Sequence, residues 1–132
     1  MGAQAKAPPE GSGRRILIVD DDPDIRRLLS MILAKAGYAT AVAENGAAAQ
    51  PLLLAEKFDA VLADLQMPVM DGIRFVTWLR SEAKLQTPVV VFTSSDTDDR
   101  NLRESVKTAG ASAVLYKPVD RSLLMETLRG LI

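Results

Sequence analysis

Ile16-Leu17-Ile18-Val19-Asp20-Asp21-Asp22 is a short apolar run that ends abruptly in three carboxylates. A second run behaves in the same way: Ala60-Val61-Leu62-Ala63 stops at Asp64 and is followed by Leu65-Gln66-Met67-Pro68. Runs of this length and composition, with no polar alternation, read as strands buried on both faces, as in a parallel sheet. Acids at the ends of such strands are costly unless they are paired or meet a cation. Hard divalent cations take oxygen ligands, so the two endings point to one metal-assisted site.

Working outward, further strands are expected at Tyr38–Ala43, Val89–Phe92 and Ala113–Tyr116, beside Arg15–Val19 and Ala60–Ala63. The segments between them carry helix signals. Asp22-Pro23 reads as an N-cap with proline in the first turn, and Gly37 stands where a C-terminal left-handed residue belongs. Between them Ile25, Leu28, Leu29 and Ile32 form one apolar stripe. A second helix is expected over 46–55, with Pro51 positioned to bend or shorten it. Asp71-Gly72 opens a third, 98–108 forms a fourth ending at Gly110, and 121–131 a fifth. Five strand–helix alternations predict a single doubly wound α/β domain with right-handed crossovers. The flavodoxin-like order 2-1-3-4-5 brings the ends of strands 1 and 3 together at the switch point where such sheets bind ligands. Asp20, Asp21 and Asp64 then converge, and Mg²⁺ suits them, with waters completing its octahedron.

Bulk properties narrow the function. The 132 residues suffice for one domain, expected over 14–132 behind a flexible tail at 1–13 rich in Ala, Pro, Gly and Ser. That tail lacks the apolar core of a signal peptide, and no run approaches the length of a membrane span. A net charge of -1 gives no reason to expect nucleic acid or an anionic membrane as partner. The expected setting is cytoplasmic. There is no cysteine and no histidine, so any imidazole chemistry must come from another molecule.

Two more strand ends add chemistry: Val89–Phe92 leads to Thr93, a hydroxyl, and Ala113–Tyr116 leads to Lys117-Pro118, a cation. A carboxylate, a divalent metal, a hydroxyl and an ammonium are what aspartyl-phosphoryl transfer requires. The set Asp20-Asp21, Asp64 within the stretch from Asp64 to Gly72, Thr93 and Lys117-Pro118 resembles the receiver domain of two-component response regulators, over about 14–132. The resemblance also carries part of the strand-order assignment. It implies that Asp64 is the phosphoacceptor, taking a phosphoryl group from a phosphohistidine on a partner histidine kinase or histidine phosphotransfer protein. It implies Asp20, Asp21, Asp64 and the Gln66 carbonyl around Mg²⁺, with Thr93 bonding and Lys117 pairing the phosphoryl group. It implies a cis bond at Lys117-Pro118 and a signalling face that includes Arg100, Arg103, Lys107, Val114, Tyr116 and Arg121, for a downstream protein the sequence does not name.

One departure stands out: where many receivers have an aromatic three residues before the lysine, this chain has Val114, with Tyr116 facing the same side of the strand. Two alternatives follow from other readings of the residues. One is a pseudo-receiver acting only as a binding module. The other is a phosphohydrolase of the haloacid dehalogenase type, whose Asp-x-Asp pattern Asp20-Asp21-Asp22 contains. Several residues read as structural: Asp22 as a cap, Asp96, Asp98 and Asp99 as caps of the fourth helix, Asp59 as a solvent-facing strand start, and Trp78 as a helix contact.

Overall fold

The computed structural model describes residues 13–94 and 100–132. The expectations for Asp96, Asp98 and Asp99, and for the tail up to residue 12, lie outside the described residues. Five strands, β1 (Arg15–Val19), β2 (Ala39–Ala43), β3 (Ala60–Asp64), β4 (Val89–Ser94) and β5 (Ala113–Lys117), alternate with five helices. These are α1 (Pro23–Lys35), α2 (Gly46–Ala55), α3 (Gly72–Ser81), α4 (Arg100–Ala109) and α5 (Arg121–Leu131). The strands form one sheet in the order β2-β1-β3-β4-β5, parallel throughout, as expected from the sequence.

The central strands β1, β3 and β4 each serve two cores, which is why they lack polar alternation. Ile16, Ile18, Leu62, Val90 and Phe92 pack with Leu29 and Leu33 of α1 and Leu124 and Leu128 of α5. Leu17, Val19, Val61, Val89 and Val91 face the other way, onto Leu53 of α2, Phe75, Val76 and Leu79 of α3, and Val106 of α4. No helix among the described residues is long and apolar enough to cross a membrane.

Local signals set the helix ends. Asp22, Asn45, Asp71 and Asp120 all cap helices through side-chain oxygens that accept backbone N–H groups. Gly37 and Gly110 end α1 and α4 with φ of 95° and 121°. The cis bond at Lys117-Pro118 is present.

Four expectations are corrected. The buried face of α1 is Leu29 and Leu33 flanked by Ile25 and Ile32, while Leu28 is exposed: it lies at the edge of the stripe, and Leu33 completes the 3.6-residue period. Pro51 does not shorten α2, which runs over its full expected length. Tyr38 is buried but precedes β2, its N–H donating to Leu33 O at 3.0 Å. Asp59 lies before β3 and does not simply face solvent. It is half-buried, and its Oδ2 accepts the Arg15 N–H at 2.8 Å, which fixes the start of β1 beside β3.

Candidate functional site

Register alone brings the acids to one level. Val19 pairs with Ala63 across β1 and β3, so Asp20 and Asp64 are the next residues on adjacent strands. Asp64 pairs with Phe92, and Ser94 pairs with Lys117, which places Thr93 and Lys117 along the same carboxyl edge. Asp20, Asp64 and Thr93 are the buried polar residues of the described chain, at 2%, 7% and 3% exposure. All three stand at the edge where the strands end.

One carboxylate oxygen from each of Asp20, Asp21 and Asp64 lies within 4.8 Å of the others. Asp21 is exposed, so the cluster opens to solvent on one side. Lys117 Nζ is 3.2 Å from Asp20 Oδ2 and 3.4 Å from Asp64 Oδ2. One ammonium against three carboxylates leaves a surplus of negative charge in a partly desolvated space. Burial, followed by the neighbouring Asp20 charge, holds the Asp64 carboxyl above the ordinary carboxylate range, with Lys117 opposing the shift. Burial acts to lower the Lys117 ammonium, but Asp64 and Asp20 outweigh it and raise its pKa above the usual lysine value.

The remaining oxygens are held by the loops. Asp20 Oδ1 accepts the Asp22 N–H at 2.9 Å, and Asp64 Oδ1 accepts the Gln66 N–H at 3.3 Å. The Thr93 hydroxyl is buried and has no hydrogen-bond partner among the described residues. An orphaned buried hydroxyl costs about 1–3 kcal/mol, so this group is poised for an acceptor that arrives at the site. A carboxylate cluster with one open side, a cation beside it and a free hydroxyl donor is a donor set that fits a hard divalent ion and a tetrahedral oxyanion.

Three features of the site escape sequence reasoning. Arg26 Nη1 donates to the Asp20 carbonyl at 2.6 Å, tying α1 to the turn that carries the acids. Gly72 is needed because a Cβ there would lie 2.8 Å from Leu65 Cα, so only glycine lets α3 start this close to the end of β3. Val69 has φ of 72°, and the Met70 N–H donates to Pro68 O across it at 2.7 Å. That is a γ-turn of the strained, positive-φ kind, and it presents a valine that is 74% exposed. The Asp71-Gly72 pair was a visible signal for the second feature; the other two leave no pattern in the sequence. On the expected signalling face, the Arg103 guanidinium lies 5.9 Å from the centre of the Tyr116 ring, and Val114 packs against the α2–α3–α4 core.

Comparison with known proteins agrees with this geometry. The model of the response regulator receiver domain family matches residues 16–129. Protein PilH of Pseudomonas aeruginosa is 35% identical over 119 residues, covering 89% of this chain and 97% of that protein. The solved structure of the chemotaxis protein CheY4 of Vibrio cholerae aligns with a TM-score of 0.83 at 31% identity, covering 90% of this chain and 98% of that one. The receiver domain of the sensor histidine kinase PA1611 of Pseudomonas aeruginosa aligns with a TM-score of 0.80 at 27% identity, covering 91% and 98%. That structure has a magnesium ion coordinated in its active-site cleft.

Proposed function

Because the chain belongs to the response regulator receiver domain family, we propose that it is a cytoplasmic signalling module phosphorylated on Asp64. The donor is a phosphohistidine on a histidine kinase or histidine phosphotransfer protein, since this chain has no histidine of its own. The observation that carries the reading is the joint placement of three carboxylates within 4.8 Å, Lys117 against two of them, and an unpartnered Thr93 hydroxyl.

Asp20, Asp21, Asp64 and the Gln66 carbonyl would hold Mg²⁺. When bound, the ion supplies positive charge that offsets both the carboxylate surplus and the developing charge on the phosphoryl oxygens. The steps belong to the side chains. An Asp64 carboxylate oxygen attacks phosphorus opposite the phosphoimidazole nitrogen. The O–P bond forms as the N–P bond breaks, and the electron pair leaves with the imidazole. Lys117 pairs with one phosphoryl oxygen, and the Thr93 O–H donates to another, gaining the partner it otherwise lacks. Water later cleaves the acyl phosphate, so the module resets without turning over a metabolite. Phosphorylation alters the surface offered to a downstream protein by way of Thr93 and the strand that carries it. Against the phosphohydrolase alternative, Asp22, the second acid of its Asp-x-Asp pattern, is taken up as the N-cap of α1.

The test is intact-protein mass after incubation with acetyl phosphate, with Mg²⁺ and with EDTA. A gain of one phosphoryl group that requires the metal and disappears in Asp64→Ala supports the reading. No gain from acetyl phosphate or from a phosphohistidine donor would replace it with a module that only binds partners.

A further inference from the structure

Arg26 stands where a helix does not favour a cation. It is close to the amino end of α1, the positive end of the helix dipole, which suits acids such as Asp24. Its neighbour Arg27 behaves as a surface residue, exposed and 3.7 Å from exposed Asp24. The Arg26 side chain is instead half-buried and reaches back past the start of the helix. Its Nη1 donates to the Asp20 carbonyl at 2.6 Å, and its backbone N–H donates to Asp22 O at 3.1 Å. One residue therefore ties α1 to the acid turn twice, and the side-chain tie is short and charge-assisted.

The turn is pinned on both sides of that carbonyl. The Asp20 N–H donates to Ala43 O at 3.1 Å, and the Asp22 N–H donates to Asp20 Oδ1 at 2.9 Å. Between these bonds lies the Asp20–Asp21 peptide, whose oxygen is the atom that Arg26 holds. A peptide unit is planar, so fixing its oxygen fixes where the next Cα sits. That Cα belongs to Asp21, the exposed acid of the cluster. Asp20 and Asp64 are aimed by contacts of their own: each has one oxygen on a backbone N–H and the other against Lys117. Among the described residues, no hydrogen bond or ion pair reaches the Asp21 carboxylate. Its direction is left to its backbone.

We infer that Arg26 is a positioning residue for the metal site: by holding the Asp20 carbonyl it orients the Asp20–Asp21 peptide, and so aims the Asp21 carboxylate at the ion. This rests on the Mg²⁺ site of the function proposed above. Removing Arg26 has two consequences of opposite sign, and the sign of the outcome decides between them. Loss of a permanent positive charge next to the acid turn makes the site more negative, which on charge alone tightens a divalent cation. Loss of the donor lets the peptide rotate and misdirects one of three acids, which loosens the ion. Mg²⁺ demands near-ideal octahedral geometry, so direction outweighs charge. Arginine stays protonated at every accessible pH, so the tie does not titrate away.

The test follows backbone amide shifts of the whole chain during titration with Mg²⁺ alone, with no phosphodonor present. Arg26→Met keeps the apolar stem and removes both charge and donor. Its Mg²⁺ binding should be weaker by about tenfold, the lower end of the range for losing a group that orients a metal ligand. Arg26→Gln, neutral and too short to reach the same carbonyl, should weaken binding alike and decides the question if Arg26→Met does not fold. Arg26→Lys, which keeps the charge and one donor, should recover most of the affinity. The Mg²⁺ concentration for half-maximal phosphorylation by acetyl phosphate should rise in step with Kd, and excess Mg²⁺ should restore the rate. Mg²⁺ binding by the neutral variants as tight as that of the wild type, or tighter, overturns the positioning role, as does an Arg26→Lys that binds no better than they do. Wild-type Mg²⁺ binding without a phosphoryl mass gain from acetyl phosphate or a phosphohistidine donor overturns the proposed function and leaves the positioning role to the affinities. Absence of both overturns the two together.

Discussion

Asp64→Asn removes one charge from the carboxylate cluster and almost nothing else, so it isolates the electrostatic argument. Lys117 Nζ lies 3.4 Å from Asp64 Oδ2. At an effective dielectric constant near 20 that attraction is about 5 kcal/mol. The facing oxygens of Asp20 and Asp64 are no more than 4.8 Å apart. Their repulsion is therefore at least about 3.5 kcal/mol on the same scale, and exposed Asp21 adds a smaller, screened contribution of the same sign. The pair terms nearly cancel, which leaves the desolvation of a 93%-buried carboxylate (7% exposed) to decide the outcome. Desolvation disfavours the charged form, in keeping with the upward direction of the Asp64 pKa. Without metal at pH 7, Asp64→Asn should therefore stabilise the fold, by on the order of 1 kcal/mol or roughly 3–5 °C in Tm. The sign has a pH signature. A carboxyl whose folded pKa is raised costs nothing below its unfolded value of 3.8, and its cost grows as pH rises from there through the folded pKa. The gap between variant and wild type should thus close near pH 3 and be fully open at neutral pH. Mg²⁺ should reverse the ranking. At ten times its Kd the ion adds about 1.4 kcal/mol to the wild type, and much less to a variant with one ligand neutralised. Thermal melts in EDTA and in Mg²⁺, at both pH values, make the check. A variant less stable than wild type in EDTA at pH 7, or a gap that persists at pH 3, would refute the reasoning.

Three further substitutions probe the frame around the cluster. Lys117→Met leaves Asp20 and Asp64 buried without a cation and should cost about 3 kcal/mol in metal-free melts at pH 7. Because the Lys117 pKa is raised, the pair's contribution is complete below the unfolded value of 10.5 and is lost as pH rises through the folded one; the penalty should shrink only above that range. Val69→Gly should raise stability by roughly 0.5–1 kcal/mol, the relief of a left-handed valine less the added freedom of glycine in the unfolded chain; a lower denaturation midpoint in urea would contradict the assigned turn. Gly72→Ala forces a methyl toward Leu65 Cα and should lower stability by about 1–3 kcal/mol. The same variant should weaken Mg²⁺ binding by calorimetry, since the displaced backbone is the one that leaves Asp64.

What the sequence made legible was whatever local chemistry specifies. Ile16–Val19 announces a buried strand because both of its faces meet helices, so no polar residue interrupts it. Asp22-Pro23 announces a helix start because cap and fixed φ are written in adjacent residues. The acids could be assigned to one site because strand order turns two distant chain positions into neighbours, and that order was partly carried by resemblance. What stayed hidden depends on contacts with backbone atoms, which have no letter in the sequence. Arg26 and Arg80 look like surface arginines in their helices, yet each donates to the carbonyl of a residue elsewhere: Asp20 in one case, Leu85 and Gly110 in the other. Asp59 was misplaced for the same reason, since its partner is the Arg15 N–H rather than a side chain. Val69 is the sharper case, because a β-branched residue argues against the very conformation it adopts. A sequence can show that a loop must turn, but the strain in that turn arises only once β3 and α3 are fixed on either side of it. The strained turn lies in the loop that leaves Asp64, and the orphaned Thr93 hydroxyl stands at the end of the adjacent strand. Both are unfavourable features of the resting fold, and they lie beside the one group whose modification would give the hydroxyl a partner.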